Sequence, residues 1–235
     1  MKVAYESDIG GVRDKDEDSI IVLRIGSIHE SRESMKLLLI LGDGMGGPPA
    51  GEVASYLGTK ILAKFLITEL LSPIEEIDYS SALESGIKKA NKEIFDYAMR
   101  TPRCRGMGTT LIAAILDNEK LYVANVGDSR LYIINEKKIK QITEDHRAGA
   151  ALTRVVGCFP DVEVDLAELT LKKGDIILMC CDGLTDMVED SEIQRIVLES
   201  KTLEDACNNL VHLANEKGGI DNVSLILAEN EDECA

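Results

Sequence analysis

The order of the apolar runs constrains this fold more than any other feature of the chain. Two strand-like runs rich in Val, Ile and Leu and bounded by Gly, Asp or Asn occur at 19–25 and 36–41. Two long helical patterns follow. From Gly51 to Leu70, Leu57, Ile61 and Phe65 recur every four residues. From Tyr79 to Arg100, Leu83, Ile87, Ala90, Ile94 and Tyr97 step by threes and fours along one face. Five more strand-like runs come next, at 109–116, 120–126, 130–135, 162–171 and 176–181; helices are predicted near 190–200 and 202–217, and a last strand at 222–228. This order lacks the regular strand–helix alternation of a parallel sheet. It predicts an α+β layered domain with sheets packed on one another and helices outside. The stretch from Lys120 to Asn135 reads as two strands of a hairpin-like meander around Gly127-Asp128-Ser129.

A chain of 235 residues that is 45% apolar can bury a core of this kind, and no linker, repeat or low-complexity segment divides it. Acidic side chains number 42 against 26 basic ones, for a net charge of −16. That balance argues against a nucleic-acid-binding surface and against adhesion to anionic membranes, because phosphate is bound by an excess of Lys and Arg. Clean apolar runs such as Leu37–Leu41 and Leu111–Leu116 fall far short of the roughly 18–20 residues of a bilayer span, and the N-terminus lacks a signal-peptide core. The six cysteines (Cys104, Cys158, Cys180, Cys181, Cys207, Cys234) show no C-x-x-C spacing, and Cys180 and Cys181 lie inside an apolar run. They read as reduced thiols of a cytoplasmic protein rather than zinc ligands.

Several aspartates end apolar runs next to glycine: Leu41-Gly42-Asp43-Gly44, Cys181-Asp182-Gly183, Val126-Gly127-Asp128 and Gly219-Ile220-Asp221. Any one of them could be a tight turn after a strand. Four such sites, together with the dense Arg13-Asp14-Lys15-Asp16-Glu17-Asp18, point to convergence on one cation site. Carboxylates with only three histidines in the chain (His29, His146, His212) suit hard divalent cations, Mg²⁺ or Mn²⁺. The alternating Asp14, Asp16 and Asp18 start like a calcium loop, but Ser19 stands where Gly is needed and Ile25 where Glu is required. No G-x-S-x-G elbow, no Walker phosphate loop and no Cys followed six residues later by Arg occurs. Metal-activated hydrolysis survives this elimination.

The chain resembles the metal-dependent protein phosphatases of type 2C, in their bacterial and archaeal form. The matching segments run in the family's order: Ser7-Asp8-Ile9-Gly10 with Arg13 and Glu17-Asp18; Gly42-Asp43-Gly44-Met45-Gly46-Gly47 with Gly51-Glu52; Met107-Gly108-Thr109-Thr110; Asn125-Val126-Gly127-Asp128-Ser129-Arg130; Thr143-Glu144-Asp145-His146; Cys181-Asp182-Gly183-Leu184-Thr185-Asp186; and Asp221-Asn222. The resemblance implies a four-layer sandwich of two antiparallel sheets flanked by helices, with metals at one edge. It also implies a serine/threonine phosphatase using two Mg²⁺ or Mn²⁺ ions per chain, with a third, weaker ion. Asp43 would bridge two ions. Asp182 and Asp221 would complete one of them, the Gly44 carbonyl and Asp18 the other, and Glu17 would act through a metal-bound water. Asp128 and Asp186, with Asp182, match the positions of the third ion.

Two cations ~3.5–4 Å apart generate hydroxide near neutral pH and neutralise phosphate charge, so a metal-bridging hydroxide can attack phosphorus without a protein nucleophile. Arg13 fits a phosphate clamp, its alternative being a salt bridge within the Asp14–Asp18 cluster. Met45 stands where animal members often carry His and cannot donate a proton, so a metal-bound water is the candidate acid. His146 is its rival, with a loop-fixing role as the alternative. Relatives also carry a flap subdomain between the segment ending at His146 and Thr153-Arg154-Val155-Val156-Gly157; here six residues, Arg147 to Leu152, separate them. The expectation is a single catalytic domain over 1–235 with an open site and the flap missing. It would act as a cytoplasmic monomer on phosphorylated proteins, alongside a cognate kinase. A catalytically weak binding module of the same fold and a small-molecule phosphate-ester hydrolase are the alternatives.

Overall fold

Leu37-Leu38-Leu39-Ile40-Leu41 is apolar at every position because both of its faces are covered. In an extended strand alternate residues point to opposite sides. Within strand β3 (Arg32–Met45), Leu38 and Ile40 pack beneath helices α1 (Gly51–Leu70) and α2 (Tyr79–Arg100), among Leu62, Leu66, Leu83, Ile87 and Ile94. Leu37, Leu39 and Leu41 face the other way, toward Ile177, Met179 and Ile226 of a second sheet. All five are essentially inaccessible to solvent, and each such side chain stabilises the fold by about 1.5–3 kcal/mol relative to leaving it exposed.

The computed structural model describes residues 1–29, 32–46, 50–71, 77–149 and 151–230. Gly47 and Cys234 lie outside the described residues, as does the side chain of His29.

The remaining strands are β1 (Lys2–Asp8), β2 (Asp18–His29), β4 (Gly108–Thr109), β5 (Leu111–Asp117), β6 (Lys120–Val126), β7 (Arg130–Asn135), β8 (Lys138–Gln141), β9 (Arg147–Ala148), β10 (Ala151–Leu152), β11 (Asp165–Thr170), β12 (Ile176–Cys180) and β13 (Val223–Glu229). One sheet runs β11-β6-β5-β3-β2 with β4 paired to β3, the other β1-β13-β12-β7-β8, and β9 pairs with β10. Each of these pairings is antiparallel. Helices α4 (Asp190–Glu199) and α5 (Leu203–Glu216) cover the outer face of the second sheet, where Leu178, Leu225 and Leu227 meet Ile193, Leu210 and Ala214. The fold is therefore an α+β sandwich of helices, sheet, sheet and helices, as expected. Asp78 caps α2 by accepting the Ser81 N–H at 3.1 Å, and Thr202 caps α5 by accepting the Asp205 N–H at 3.0 Å.

Three sequence readings need correction. β6 and β7 do not form a hairpin: β6 belongs to the first sheet and β7 to the second, and Leu121 and Val123 meet Leu131 and Ile133 across the middle of the sandwich. Gly127, at φ +113°, lets the chain cross between sheets at that break. The run at 162–171 is a strand only over Asp165–Thr170. Four strands went unread: β1 and β8, the two edges of the second sheet, and the two-residue β9 and β10. The five described cysteines, Cys104, Cys158, Cys180, Cys181 and Cys207, are free.

Candidate metal centre

Five connections at one end of the sandwich carry the acids singled out in the sequence. Asp18 opens β2 and Asp43 stands near the end of β3, and the two are direct partners across the antiparallel ladder. The backbone of Asp43 is clamped. Its N–H donates to Thr110 Oγ1 at 3.0 Å, and its carbonyl accepts from the Thr110 N–H at 2.8 Å and from Thr109 Oγ1 at 2.9 Å. Thr110 Oγ1 in turn bonds Ser129 Oγ at 2.7 Å. The next residue, Gly44, donates its N–H to the Glu17 carbonyl at 3.1 Å, and a Cβ there would collide with the carbonyl oxygens of Gly51 and Glu17.

Asp182 starts a four-residue helical turn, α3 (Asp182–Thr185), immediately after β12. Asp186 closes that turn, its N–H donating to the Asp182 carbonyl at 2.7 Å. Asp221 lies just before β13, and its neighbour Asn222 ties the loop of residues 9–17 to that strand. Asn222 Oδ1 accepts the Glu17 N–H at 2.9 Å, and its Nδ2 donates to the carbonyls of Ile9 and Lys15, both at 2.9 Å. Asp128 is buried in the β6–β7 connection. Asp16 closes a small turn, accepting from Ser7 Oγ at 2.6 Å and from the Asp18 N–H at 3.0 Å, and so sets the start of β2.

A cleft of about 410 Å³ opens over this edge. Arg13, Glu17, Asp43, Gly44, Asp128, Asp182 and Asp221 line it, with Met45, Thr110, Arg147, Ala151 and Leu152. Asp18 joins the group through Asp43, and Asp186 through Arg147, whose Nη1 lies 3.4 Å from Asp186 and 3.6 Å from Asp128.

Crowded and partly desolvated, Glu17, Asp18, Asp43, Asp128 and Asp182 hold protons above their ordinary range. Burial first, then the charges of Asp18, Asp182, Asp221 and Asp128, pushes Asp43 far up. Burial, with Asp16 and Asp182 adding repulsion, raises Asp18 to about 7. Burial and the charges of Asp128, Asp186 and Asp221 raise Asp182 to about 6. Glu17 and Asp128 are raised too, again chiefly by burial. Asp18 Oδ2 is buried without a hydrogen-bond partner.

Potential ligand atoms of Asp18, Asp43 and Cys181 lie within 4.8 Å of one another. The Cys181 thiol is otherwise engaged. It donates to the Asn222 carbonyl at 3.3 Å and accepts the Ser224 N–H at 3.1 Å, and burial pushes it far above the ordinary thiol range. A neutral thiol beside a set of carboxylates and one carbonyl leaves an oxygen donor set, which fits hard divalent cations. The unpartnered Asp18 oxygen and the like-charge pair Asp18–Asp43 are the features such ions would satisfy.

The structure places two residues for which the sequence left alternatives. Arg13 does not pair within the Asp14–Asp18 cluster; its Nη2 donates to Asp221 Oδ2 at 2.6 Å, across the cleft edge. His146 is buried, its Nδ1 accepting the Gly127 N–H at 3.1 Å. Its Nε2 lies 2.9 Å from Asp165 Oδ2 and 3.1 Å from Arg154 Nη1, so the ring is held on both sides and does not line the cleft. Sequence reasoning missed Arg147 and the strapping by Asn222. The Asp221-Asn222 pair was a signal for the second; nothing local marked the first, because its partners are 19 and 39 residues away.

A family model described as "Protein phosphatase 2C" matches residues 5–154 and 150–223. The chain is 33% identical over 252 aligned positions to the serine/threonine phosphatase stp of Listeria monocytogenes, covering 98% of this chain and 96% of that one. It is 30% identical to the protein phosphatase PhpP of Streptococcus pneumoniae, over the full length of both. The crystal structure of the serine/threonine phosphatase Stp1 from Staphylococcus aureus superposes with a TM-score of 0.87 at 34% identity, covering 98% of this chain and 95% of that one.

Proposed function

This chain belongs to the protein phosphatase 2C family and is a metal-dependent serine/threonine protein phosphatase, and we propose that its cleft works with two Mg²⁺ or Mn²⁺ ions. Asp18, Asp43, Asp182, Asp221 and the Gly44 carbonyl would hold the ions, with Asp43 serving both, and Glu17 would act from just outside. When bound, such ions lower the pKa of water so that it attacks phosphorus and offset the charge of the phosphate. The observation that carries this reading is the registered pair Asp18–Asp43, with the other acids gathered round it.

The chain's own residues then do three things. The clamped backbone of Asp43 and the collision-tight fit of Gly44 fix the oxygen donors before any ligand arrives, which spares reorganisation during reaction. Arg13, about half exposed at the cleft edge, presents a planar fork of donors that matches two phosphate oxygens, and its contact with Asp221 orients that fork. Met45, Ala151 and Leu152 give the cleft an apolar side suited to the carbon skeleton of the esterified residue.

Residues Arg147–Leu152, with β9 and β10 as two-residue strands, stand where relatives carry a flap, and the two stretches of the family match meet at residues 150–154. Both support a single catalytic domain with an open cleft that admits an extended phosphopeptide. No helix among the described residues is long and apolar enough to cross a membrane. The functional setting that fits is a cytoplasmic monomer acting on phosphoproteins made by a cognate kinase.

The test is release of phosphate from a phosphothreonine peptide and from a small aryl phosphate, each with Mn²⁺ and with chelator. Mn²⁺-dependent hydrolysis of the peptide supports the proposal. Hydrolysis of the aryl ester alone makes it a small-molecule phosphatase, and hydrolysis of neither makes it a binding module.

A further inference from the structure

Arg147 is the first residue after the buried His146, and that brace decides where its guanidinium can go. The His146 N–H donates to the Gly127 carbonyl at 3.1 Å, and the His146 ring accepts the Gly127 N–H. The Thr153 N–H returns to the His146 carbonyl at 2.8 Å, and β9 pairs with β10 so that Arg147 stands opposite Leu152. The start of β9 is therefore fastened to the residue next to Asp128. The Arg147 Nε donates to the Gly149 carbonyl at 3.1 Å, which holds the side chain in place. Its Nη1 then lies between Asp128 Oδ2, at 3.6 Å, and Asp186 Oδ1, at 3.4 Å. Only about a quarter of the side chain is exposed.

Asp128, Asp182 and Asp186 are the acids that the family resemblance assigns to a third, weaker ion. A divalent ion of the Mg²⁺ type needs carboxylate oxygens at about 2.0–2.1 Å with near-octahedral freedom around it. Here a planar cation, pinned from its own strand, occupies the space between two of the three acids and already supplies a positive charge.

We infer that Arg147 is a built-in substitute for the third cation, so that this chain holds two divalent ions and completes the charge of its cleft with a guanidinium. The inference rests on the two-ion reading above. Arg147 is a positioning residue: it orients and neutralises Asp128 and Asp186, and the shortened segment is what brings it there.

Counting ions tests this without reference to turnover. The full-length chain is dialysed to equilibrium against millimolar Mn²⁺, and bound metal is measured by mass spectrometry. The wild type should hold two ions per chain, Arg147→Met three, and Arg147→Met/Asp186→Asn two again. Asp186→Asn alone should still hold two, a result that does not depend on how well the Arg147 variant folds. Three ions in the wild type, loss of an ion from the Asp186→Asn single variant, or two ions in a folded Arg147→Met variant would each overturn the inference while leaving the two-ion reading intact. Fewer than two in the wild type overturns that reading itself.

Discussion

Asp18 and Asp43 face each other directly across the β2–β3 ladder, two acids where an antiparallel sheet ordinarily avoids like charges. One edge of the pair, Asp18 Oδ2, is buried without a partner. A fold keeps such an arrangement only if something absent from the bare chain compensates it. Replacing one acid by its amide should therefore stabilise the metal-free protein. Asp43→Asn is expected to raise the melting temperature of the chelator-treated chain by about 2–4 °C, equivalent to roughly 1 kcal/mol. The same variant should lose most of the Mn²⁺-induced rise in melting seen in the wild type. Equal metal-free melting of the two proteins would count against a strained pair.

The raised carboxyls fix the direction of a pH effect. Asp18 moves from an ordinary 3.8 to about 7 on folding and Asp182 from 3.8 to about 6, both chiefly through burial. Without cations the folded chain retains protons that the unfolded chain gives up above about pH 4. The stability these groups contribute is complete below that pH and is lost as pH rises toward 7. Cations replace the protons, so saturating Mn²⁺ should flatten the slope over the same window. Thermal melts between about pH 4.5 and 7.5, with chelator and with Mn²⁺, check the falling slope and its loss. A metal-free melting temperature that climbs from pH 5 to 7 is the contrary result.

Asn222 holds Glu17, Ile9 and Lys15 through three hydrogen bonds and so carries the N-terminal loop to Asp221. Asn222→Ala removes those straps without touching a proposed ligand. Supporting residues of this kind typically matter 10–100-fold in metal affinity. Calorimetric titration with Mn²⁺ should show a weakening of that order with the number of ions unchanged. An affinity equal to wild type would show that the loop is held by other contacts.

Arg13 separates charge from geometry. Arg13→Lys keeps the cation but not the two parallel donors. The kcat/KM for a phosphothreonine peptide should fall about 10-fold or more, with Mn²⁺ affinity preserved. A Lys variant as active as wild type would reduce Arg13 to a counter-charge for Asp221.

Much of this was legible in the sequence, and the reasons are local. β3, β5, β12 and β13 sit inside the sandwich with both faces covered, so they read as continuous apolar runs. The helices α1 and α2 announced themselves through apolar periodicity. β1 and β8 went unread because edge strands pair on one side only and carry charge, as Lys2, Glu6, Lys138 and Lys140 do. The β6–β7 break looked like a hairpin because a short Gly-Asp turn is the same string whether the chain folds back or crosses to the facing sheet. Asp43, Asp128 and Asp182 were visible because each follows an apolar run next to glycine, and Asp18 because it closes a dense acidic run. Arg147 was not, because its role depends on a brace between His146 and Gly127 that no spacing reveals.

The central claim is that the paired acids hold the cations through which phosphate is removed. Phosphate release from a phosphothreonine peptide, titrated with Mn²⁺ for wild type and Asp43→Asn side by side, tests it most directly. The wild type should saturate with Mn²⁺ and fall to background with chelator, and Asp43→Asn should release phosphate at least about 10²–10³-fold more slowly, the loss of several kcal/mol of charge stabilisation. Wild-type turnover that persists without metal, or an Asp43→Asn variant as fast as wild type, would contradict the account.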